Sequence, residues 1–333
     1  MKILVVGLGY VARRHIKNLK QILSSATLAV WRHERREDDL EEIAPWIDHL
    51  FFSEKEALDW KPEVALITTP AAFHLKAAQP LALQGVHLFI EKPISHSEQG
   101  LEELLVVCRK NKTLLFVGYN FRFYPPFHLL QTLLKEKKIG RLLSLRAEVG
   151  QFLPDWRPSK NYQSTASAQK DLGGGVLLEL SHELDFLRWL GGEIHSVFAS
   201  TKQVSDLEID VEDTADLILR FSSGAIGSVH LDMVDHVKNR NLRIVGTEGT
   251  LTWDGITHEV KWYSTKTKEW VSYPSPSKWE PNQMYIDEMK NFLNSISFQT
   301  PPAVDAGEAV KTLQVILAAQ RSAKMGKVVT LPS

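Results

Sequence analysis

The sequence contains one cysteine, Cys108, in 333 residues. A single thiol cannot close an intrachain disulfide or build a multi-cysteine zinc site, and so sparse a use of cysteine suits a reducing cytoplasm. Net charge is nearly absent too: 39 basic and 40 acidic residues leave a formal charge of -1. Without a basic field, nucleic acid is not an expected partner. No run approaches the ~18 consecutive apolar residues of a membrane span. The apolar amino terminus does not read as a secretory leader, because it holds two glycines and runs into "ARRHIKNLK" with no small-residue cleavage site. Internal repeats and low-complexity stretches are missing, and the histidines pair closely neither with one another nor with the cysteine, so no metal site is expected. What remains is a chain with 44% hydrophobic residues, long for one core and comfortable for two domains.

The first half alternates strands and helices. "KILVVGLGYVARRHIKNLKQI" reads as strand, tight turn and helix, and the turn carries Gly7, Gly9 and Ala12 in the G-x-G-x-x-G/A order of a dinucleotide-binding unit. Gly7 permits the sharp turn, Gly9 admits a pyrophosphate, and Ala12 lets the helix pack closely; the phosphates would meet the positive end of that helix. After the next strand, "ATLAVW", NAD sites usually place an acid for the ribose hydroxyls. This chain has Trp31 and Arg32 there, followed by Arg35 and Arg36. Guanidinium groups bind a 2′-phosphate that an acid would repel, which favours NADP over NAD, although a solvated charge run would look the same. The apolar runs "EVALITTP", "VHLFIEKP" and "TLLFVGYNF" continue a doubly wound parallel sheet. Ligands bind beyond the carboxyl ends of such strands, and Lys92 lies one residue past one of them. Its plain alternative is a surface lysine on a loop.

After about residue 120 the period changes. "LLSLRAEVG", "SVFASTKQV", "TADLILRF", "AIGSVHLDM", "NLRIVGT", "TLTWD" and "EVKWYS", joined by short turns, predict a large, mostly antiparallel sheet with an open face, in an α+β domain. The expected division is a Rossmann domain over 1–120 and an α+β substrate and oligomerisation domain over 121–333. Apolar content on more than one side of "ADLILRF" and "AIGSVHLDM" predicts a homodimer or homotetramer through that sheet. The stretch "QFLPDWRPSKNYQSTASAQKDL" lacks periodicity, and Trp156, Arg157 and Tyr162 within it suit a sugar ring or phosphate, or equally a loop tucked onto the surface. A helix is predicted from Val176 to Leu190 behind three glycines that would allow another group to approach closely. On it Glu179, His182 and Asp185 recur at a spacing of three, so Asp185 could orient the imidazole; a buried structural histidine is the plain alternative.

Taken in order, "GLGYVA", "TTPAAFH", "EKP" and "GGGVLLELSHELD" resemble the Gfo/Idh/MocA family of oxidoreductases, which includes glucose-fructose oxidoreductase and inositol dehydrogenase. The resemblance extends to "AAQRSAKMGKVVTLP" at the carboxyl end. It implies a nicotinamide-dependent reaction on a sugar or cyclitol carbinol, with Lys92 as the motif lysine and His182 as the helix histidine. It also implies cofactor contacts from Tyr10, Val11, Thr69, Pro70, His74 and Glu91 within those motifs; Asn120 and Arg122 are expected at substrate, and so are Trp156, Arg157 and Tyr162 if the aperiodic stretch serves recognition. The family commonly places an aspartate four residues before the histidine. Here Leu178 stands four before His182 and Glu179 three before. One residue is about 100° of helix rotation, so Glu179 is an imperfect replacement. In this scheme His182 removes the hydroxyl proton, Lys92 hydrogen-bonds the same oxygen, and Glu179 pairs with Lys92 or holds a neighbouring hydroxyl. The expected substrate is a phosphorylated or nucleotide-linked sugar. Alternatives are a sugar-sensing regulator on the same scaffold, which would need neither Lys92 nor His182, and an oxidoreductase that never releases its cofactor.

Overall fold

The structure, a computed structural model, describes residues 1–32, 40–275 and 279–332. Arg35 and Arg36 lie outside the described residues. Two compact units emerge: Met1–Asn120 with Pro281–Val310, and Phe121–Glu280 with Lys311–Ser333. The second domain expected over 121–333 is therefore interrupted, since Pro281–Val310 belongs with the first unit.

The first unit runs β1 (Lys2–Val6), α1 (Tyr10–Ile22), β2 (Thr27–Trp31), β3 (His49–Phe51), α2 (Glu54–Asp59), β4 (Val64–Ile67), α3 (His74–Leu83), β5 (His87–Ile90), α4 (Leu101–Asn111) and β6 (Leu115–Val117). Among the described residues its six strands lie in the order β3-β2-β1-β4-β5-β6, every pairing parallel. Helices cover both faces of such a sheet, which is why the central strands are continuous apolar runs and Ile3, Leu4, Val5, Ala65 and Leu66 are fully buried. The edge strand β3 has three residues, too few to show a period in sequence, and it was not anticipated there. Strand order reverses between β1 and β4, and the turns that follow those two strands flank the crevice where doubly wound sheets bind ligands.

The second unit contains α5 (Pro125–Lys135), β7 (Leu142–Gly150), α6 (Val176–Glu179), α7 (His182–Gly191), β8 (Ile194–Lys202), β9 (Thr214–Phe221), β10 (Ile226–Asp232), β11 (Asn239–Gly246), β12 (Gly249–Asp254), β13 (Val260–Ser264) and β14 (Glu269–Tyr273). With a late strand, β15 (Val329–Thr330), they form a nine-stranded sheet in the order β14-β13-β12-β11-β7-β10-β9-β8-β15. Among the described residues, only the β7–β10 pairing of this sheet is parallel. Strand β9 alternates strictly: Ala215, Leu217, Leu219 and Phe221 point inward, and Asp216, Ile218 and Arg220 point outward. The outward face is consequently a mixture, with Phe198 and Ile218 set among Arg146, Glu148, Asp216 and Arg243. It is more polar than the expectation of apolar residues on both sides.

The chain then returns to the first unit as α8 (Asn282–Phe298). Phe292 on α8 meets Phe89 edge-on at 5.7 Å and Phe116 at 5.8 Å, and Val117 N donates to Val304 O at 3.2 Å. These aromatic contacts decide where the segment belongs. The last helix, α9 (Ala306–Met325), passes into the second unit, where Ala199 N donates to Ser322 Oγ at 2.9 Å. Among the described residues no helix is long and apolar enough to cross a membrane.

Candidate active site

In the first unit the glycine turn has the geometry its sequence implies. Gly7 sits at φ +90°, and a Cβ there would come within 3.2 Å of the Thr68 carbonyl and Thr69 N at the end of β4. Among the described residues, a side chain at Gly9 would meet nothing within 4 Å, and Ala12, in the first turn of α1, is fully buried. The first turn of α1 carries no acid and no side-chain cap, so its backbone N–H groups and partial positive charge are available to a phosphate. Tyr10 is 60% exposed and accepts a hydrogen bond from Arg14 Nη2 at 3.0 Å. Among the described residues Thr69 Oγ1 is buried without a hydrogen-bond partner, on the turn whose N lies beside Gly7, and a ligand there would satisfy it. Arg32 follows directly after β2, its N–H donating to Phe51 O at 3.1 Å, and Val11 lies on the first turn of α1 beside Ala12. These residues fit a dinucleotide: a pyrophosphate at the turn, a ribose near the end of β2.

Lys92 is half-buried two residues beyond the end of β5, and the Lys92–Pro93 peptide is cis. Two neighbours brace this turn. His74, 1% exposed, places Nδ1 2.9 Å from Pro93 O and Nε2 2.8 Å from Thr69 O, joining the turns after β4 and β5. A neutral imidazole donates to only one of these carbonyls; burial nonetheless outweighs both and lowers the His74 pKa. Glu91 accepts from His15 Nε2 at 2.6 Å through Oε1 and from Lys92 N at 3.3 Å through Oε2. Both His74 and Glu91 were expected to touch cofactor. In this unit their polar atoms hold the loops that carry Thr69, Pro70 and Lys92. Asn120 is 4% exposed, and burial pushes the phenol of Tyr285 on α8 up to about 12.

The second unit departs from the sequence reading at the helix. The expected helix over Val176–Leu190 breaks: Leu180 adopts φ −98°, ψ 29°, and His182 opens α7. Glu179 and His182 thus end one helix and begin another, and do not share the face of a single helix. Both are half-buried, and the His182 ring lies 5.1 Å from Phe121. Asp185 does not orient that ring. Its Oδ2 accepts from Arg122 Nε at 2.8 Å, and its Oδ1 from Arg122 Nη2 at 2.9 Å and Thr312 Oγ1 at 3.2 Å, all buried. Arg122, expected at substrate, is 5% exposed and spends its guanidinium on Asp185 and on the face of Trp189. A parallel pair forms next door, where Arg240 makes two bonds to the buried Glu183, at 2.7 and 2.9 Å, and lies 4.3 Å over Phe121. Arg240 was missed because a lone arginine in "KNRN" carries no signal of its partner 57 residues away.

The aperiodic stretch is ordered by its own bonds. Trp156 Nε1 donates to Gln151 O at 2.9 Å, Gln169 Nε2 to Gln163 O at 2.8 Å, and Glu208 N to the Tyr162 hydroxyl at 3.2 Å. The glycines behind it serve this loop: a Cβ on Gly174 would lie 2.3 Å from Ala166 O. Trp156, Arg157 and Tyr162 come together around one depression with Leu153, Thr165 and Ser167. Trp156 also borders a second, with Gln151, Leu180, Lys238, Asn239 and Arg240.

A family model described as "Oxidoreductase family, NAD-binding Rossmann fold" matches residues 1–119, and one described as "GFO/IDH/MocA C-terminal domain" matches residues 127–252. Myo-inositol 2-dehydrogenase of Thermotoga maritima is 26% identical over 335 residues, covering 97% of this chain and 96% of that protein. Levoglucosan dehydrogenase of Pseudarthrobacter phenanthrenivorans is 26% identical over 246 residues, covering 64% of this chain and 62% of that protein. Among solved structures, a levoglucosan dehydrogenase in complex with NADH and levoglucosan superposes with a TM-score of 0.89 at 20% identity, covering all of both chains. The WlbA dehydrogenase from Bordetella pertussis, in complex with NADH and UDP-GlcNAcA, gives 0.85 at 22% identity, covering 100% of this chain and 99% of that one.

Proposed function

The chain belongs to the GFO/IDH/MocA family of oxidoreductases, and from that premise we propose that it oxidises or reduces a carbinol carbon of a sugar or cyclitol. The observation that carries this reading is the Glu91-Lys92-Pro93 turn at the end of β5, braced by His74 to the turn after β4 and set in the same unit as the Gly7 turn. A bound nicotinamide supplies the hydride chemistry. The protein's part is to manage the carbinol oxygen. Lys92 donates a hydrogen bond to that oxygen and stabilises the negative charge that grows on it during oxidation. His182 takes the hydroxyl proton as general base, the task for which imidazole is the common side chain. Glu179, at the end of α6, holds an adjacent hydroxyl.

A phosphorylated or nucleotide-linked sugar is the form we favour. Trp156 offers an aromatic face between two depressions, one bordered by the cation of Arg157 and the other by that of Lys238, a pattern suited to a ring carrying an anionic group. Either nicotinamide dinucleotide fits the glycine turn, and Arg32 in place of an acid favours NADP. The outward sheet face, with both signs of charge around Phe198 and Ile218, suits a second copy of the chain, giving a dimer or tetramer.

The test is a panel of free, phosphorylated and nucleotide-linked sugars incubated with NAD⁺ or NADP⁺ and followed at the nicotinamide absorbance. Turnover of one class with either cofactor supports the reading. A panel with no turnover, from protein that binds the cofactor, counts against it.

A further inference from the structure

Beneath the Lys92 turn lies a buried cluster that the proposed hydride chemistry does not use. His15 on α1, Glu91 after β5 and Glu288 on α8 place one ligand atom each within 4.8 Å of one another. His15 and Glu288 are fully buried, and Glu91 is 9% exposed. Glu91 is well supplied with donors, from His15 Nε2 and Lys92 N. Glu288 is not: among the described residues neither of its oxygens has a hydrogen-bond partner.

Among the described residues, Arg14 and Tyr285 also act electrostatically on this cluster. The Arg14 guanidinium lies 4.3 Å over the Tyr285 ring and donates to Tyr10 OH. An ionised Glu288 would be a buried anion with no donor, facing a second anion. Such a group costs several kcal/mol and takes up a proton instead. Burial first, and the Glu91 charge second, raise the Glu288 pKa well above its usual value, with Arg14 opposing. A metal ion fits less well. Two ligands about 2.1 Å from one ion stand about 3 Å apart or more, whereas His15 Nε2 and Glu91 Oε1 are 2.6 Å apart and already share a proton's hydrogen bond.

We infer that Glu288 is held as a neutral carboxylic acid whose proton faces Glu91, and that Glu288, with His15 and Glu91, acts as a positioning residue for Lys92. The acid donates to Glu91 directly or through one water, which leaves Glu91 the sole anion of the cluster. Glu91 then keeps its bonds to His15 and to Lys92 N. Were Glu288 ionised, repulsion between the carboxylates would pull Glu91 off His15 and loosen the turn that aims the lysine. The role of Lys92 in this inference rests on the proposed hydride chemistry; the protonation of Glu288 does not.

Infrared difference spectroscopy of the full chain at neutral pH, wild type against Glu288→Gln, reads the protonation directly. The expected result is a carboxylic acid carbonyl band that the variant lacks. A carboxylate band lost in its place overturns the inference, as does thermal stabilisation by Mn²⁺ that disappears in Glu288→Gln. For the positioning role, Glu288→Leu lowers kcat by about 10²-fold, the scale of a misplaced catalytic group, with the KM for cofactor little changed. Glu288→Gln, which keeps a donor, recovers most of that loss. Equal kcat losses in the two variants overturn the positioning role even if the acid band is present, while full activity in Lys92→Ala would overturn the hydride reading and leave the band unaffected.

Discussion

Arg122 and Asp185 form a buried two-point ion pair, Nε to Oδ2 at 2.8 Å and Nη2 to Oδ1 at 2.9 Å. Asp185 follows His182 at the spacing of an orienting acid, yet its partner comes from the 3₁₀ turn Asn120–Phe123. Removing one member of a buried pair strands the other charge, which costs about 3–5 kcal/mol. Asp185→Ala should therefore show a large loss of stability in urea unfolding, while the folded fraction keeps its pH–rate profile. A shifted profile at unchanged stability would return Asp185 to the histidine.

His182→Ala should lower kcat about 10²–10⁴-fold, the usual worth of a general base, with cofactor affinity nearly intact. Lys92→Ala should do comparable damage, and the double variant should cost less than the sum, because both groups act on one oxygen in one transition state. Lys92→Arg should not rescue, since a planar fork does not replace a compact ammonium. Steady-state kinetics on the substrate found by the sugar panel decide it; full activity in His182→Ala would move the base elsewhere.

Arg32→Ala should weaken NADP far more than NAD. The guanidinium offers paired donors to a 2′-phosphate and little to a ribose hydroxyl. Fluorescence titration with both reduced cofactors is sufficient, and equal effects on the two would leave Arg32 as a solvated side chain.

The raised Glu288 pKa has a definite sign for stability. Between the unfolded value, 4.5, and the higher folded value, the native state holds a proton that the unfolded chain has released. Stability from this group is thus fully present below the unfolded value and is lost as pH rises through the folded one. Glutamine does not titrate. Glu288→Gln should melt near the wild-type temperature in mild acid and increasingly above it as pH is raised. Parallel melting curves across that range would count against a proton on Glu288.

Light scattering tests the sheet face. If a second copy covers it, an Ile218→Glu variant should shift a dimer or tetramer toward monomer at micromolar concentration, because the new charge would be buried against the partner. A wild-type monomer would remove the idea.

Local pattern sufficed wherever one segment carries its own evidence. The strand, glycine turn and helix around Gly7 are legible because burial on both faces, the left-handed turn and the helical period leave marks within about twenty residues. The strict alternation of β9 is legible for the same reason. The turn bearing Lys92 was located from the abrupt end of an apolar run, although nothing local told that Glu91 faces His15 or that His74 ties Pro93 to Thr69. Those are matters of which surfaces meet. The same holds for the break at Leu180, which interrupts a sequence whose apolar spacing suits one continuous helix. It holds for Asp185, whose partner is 63 residues away, and for the segment from Pro281, which joins the first unit because Phe292 finds Phe89 and Phe116 there. Periodicity records which side of an element is buried; it carries no record of the partner that buries it, and for paired charges and a lone buried acid the partner is the whole of the chemistry.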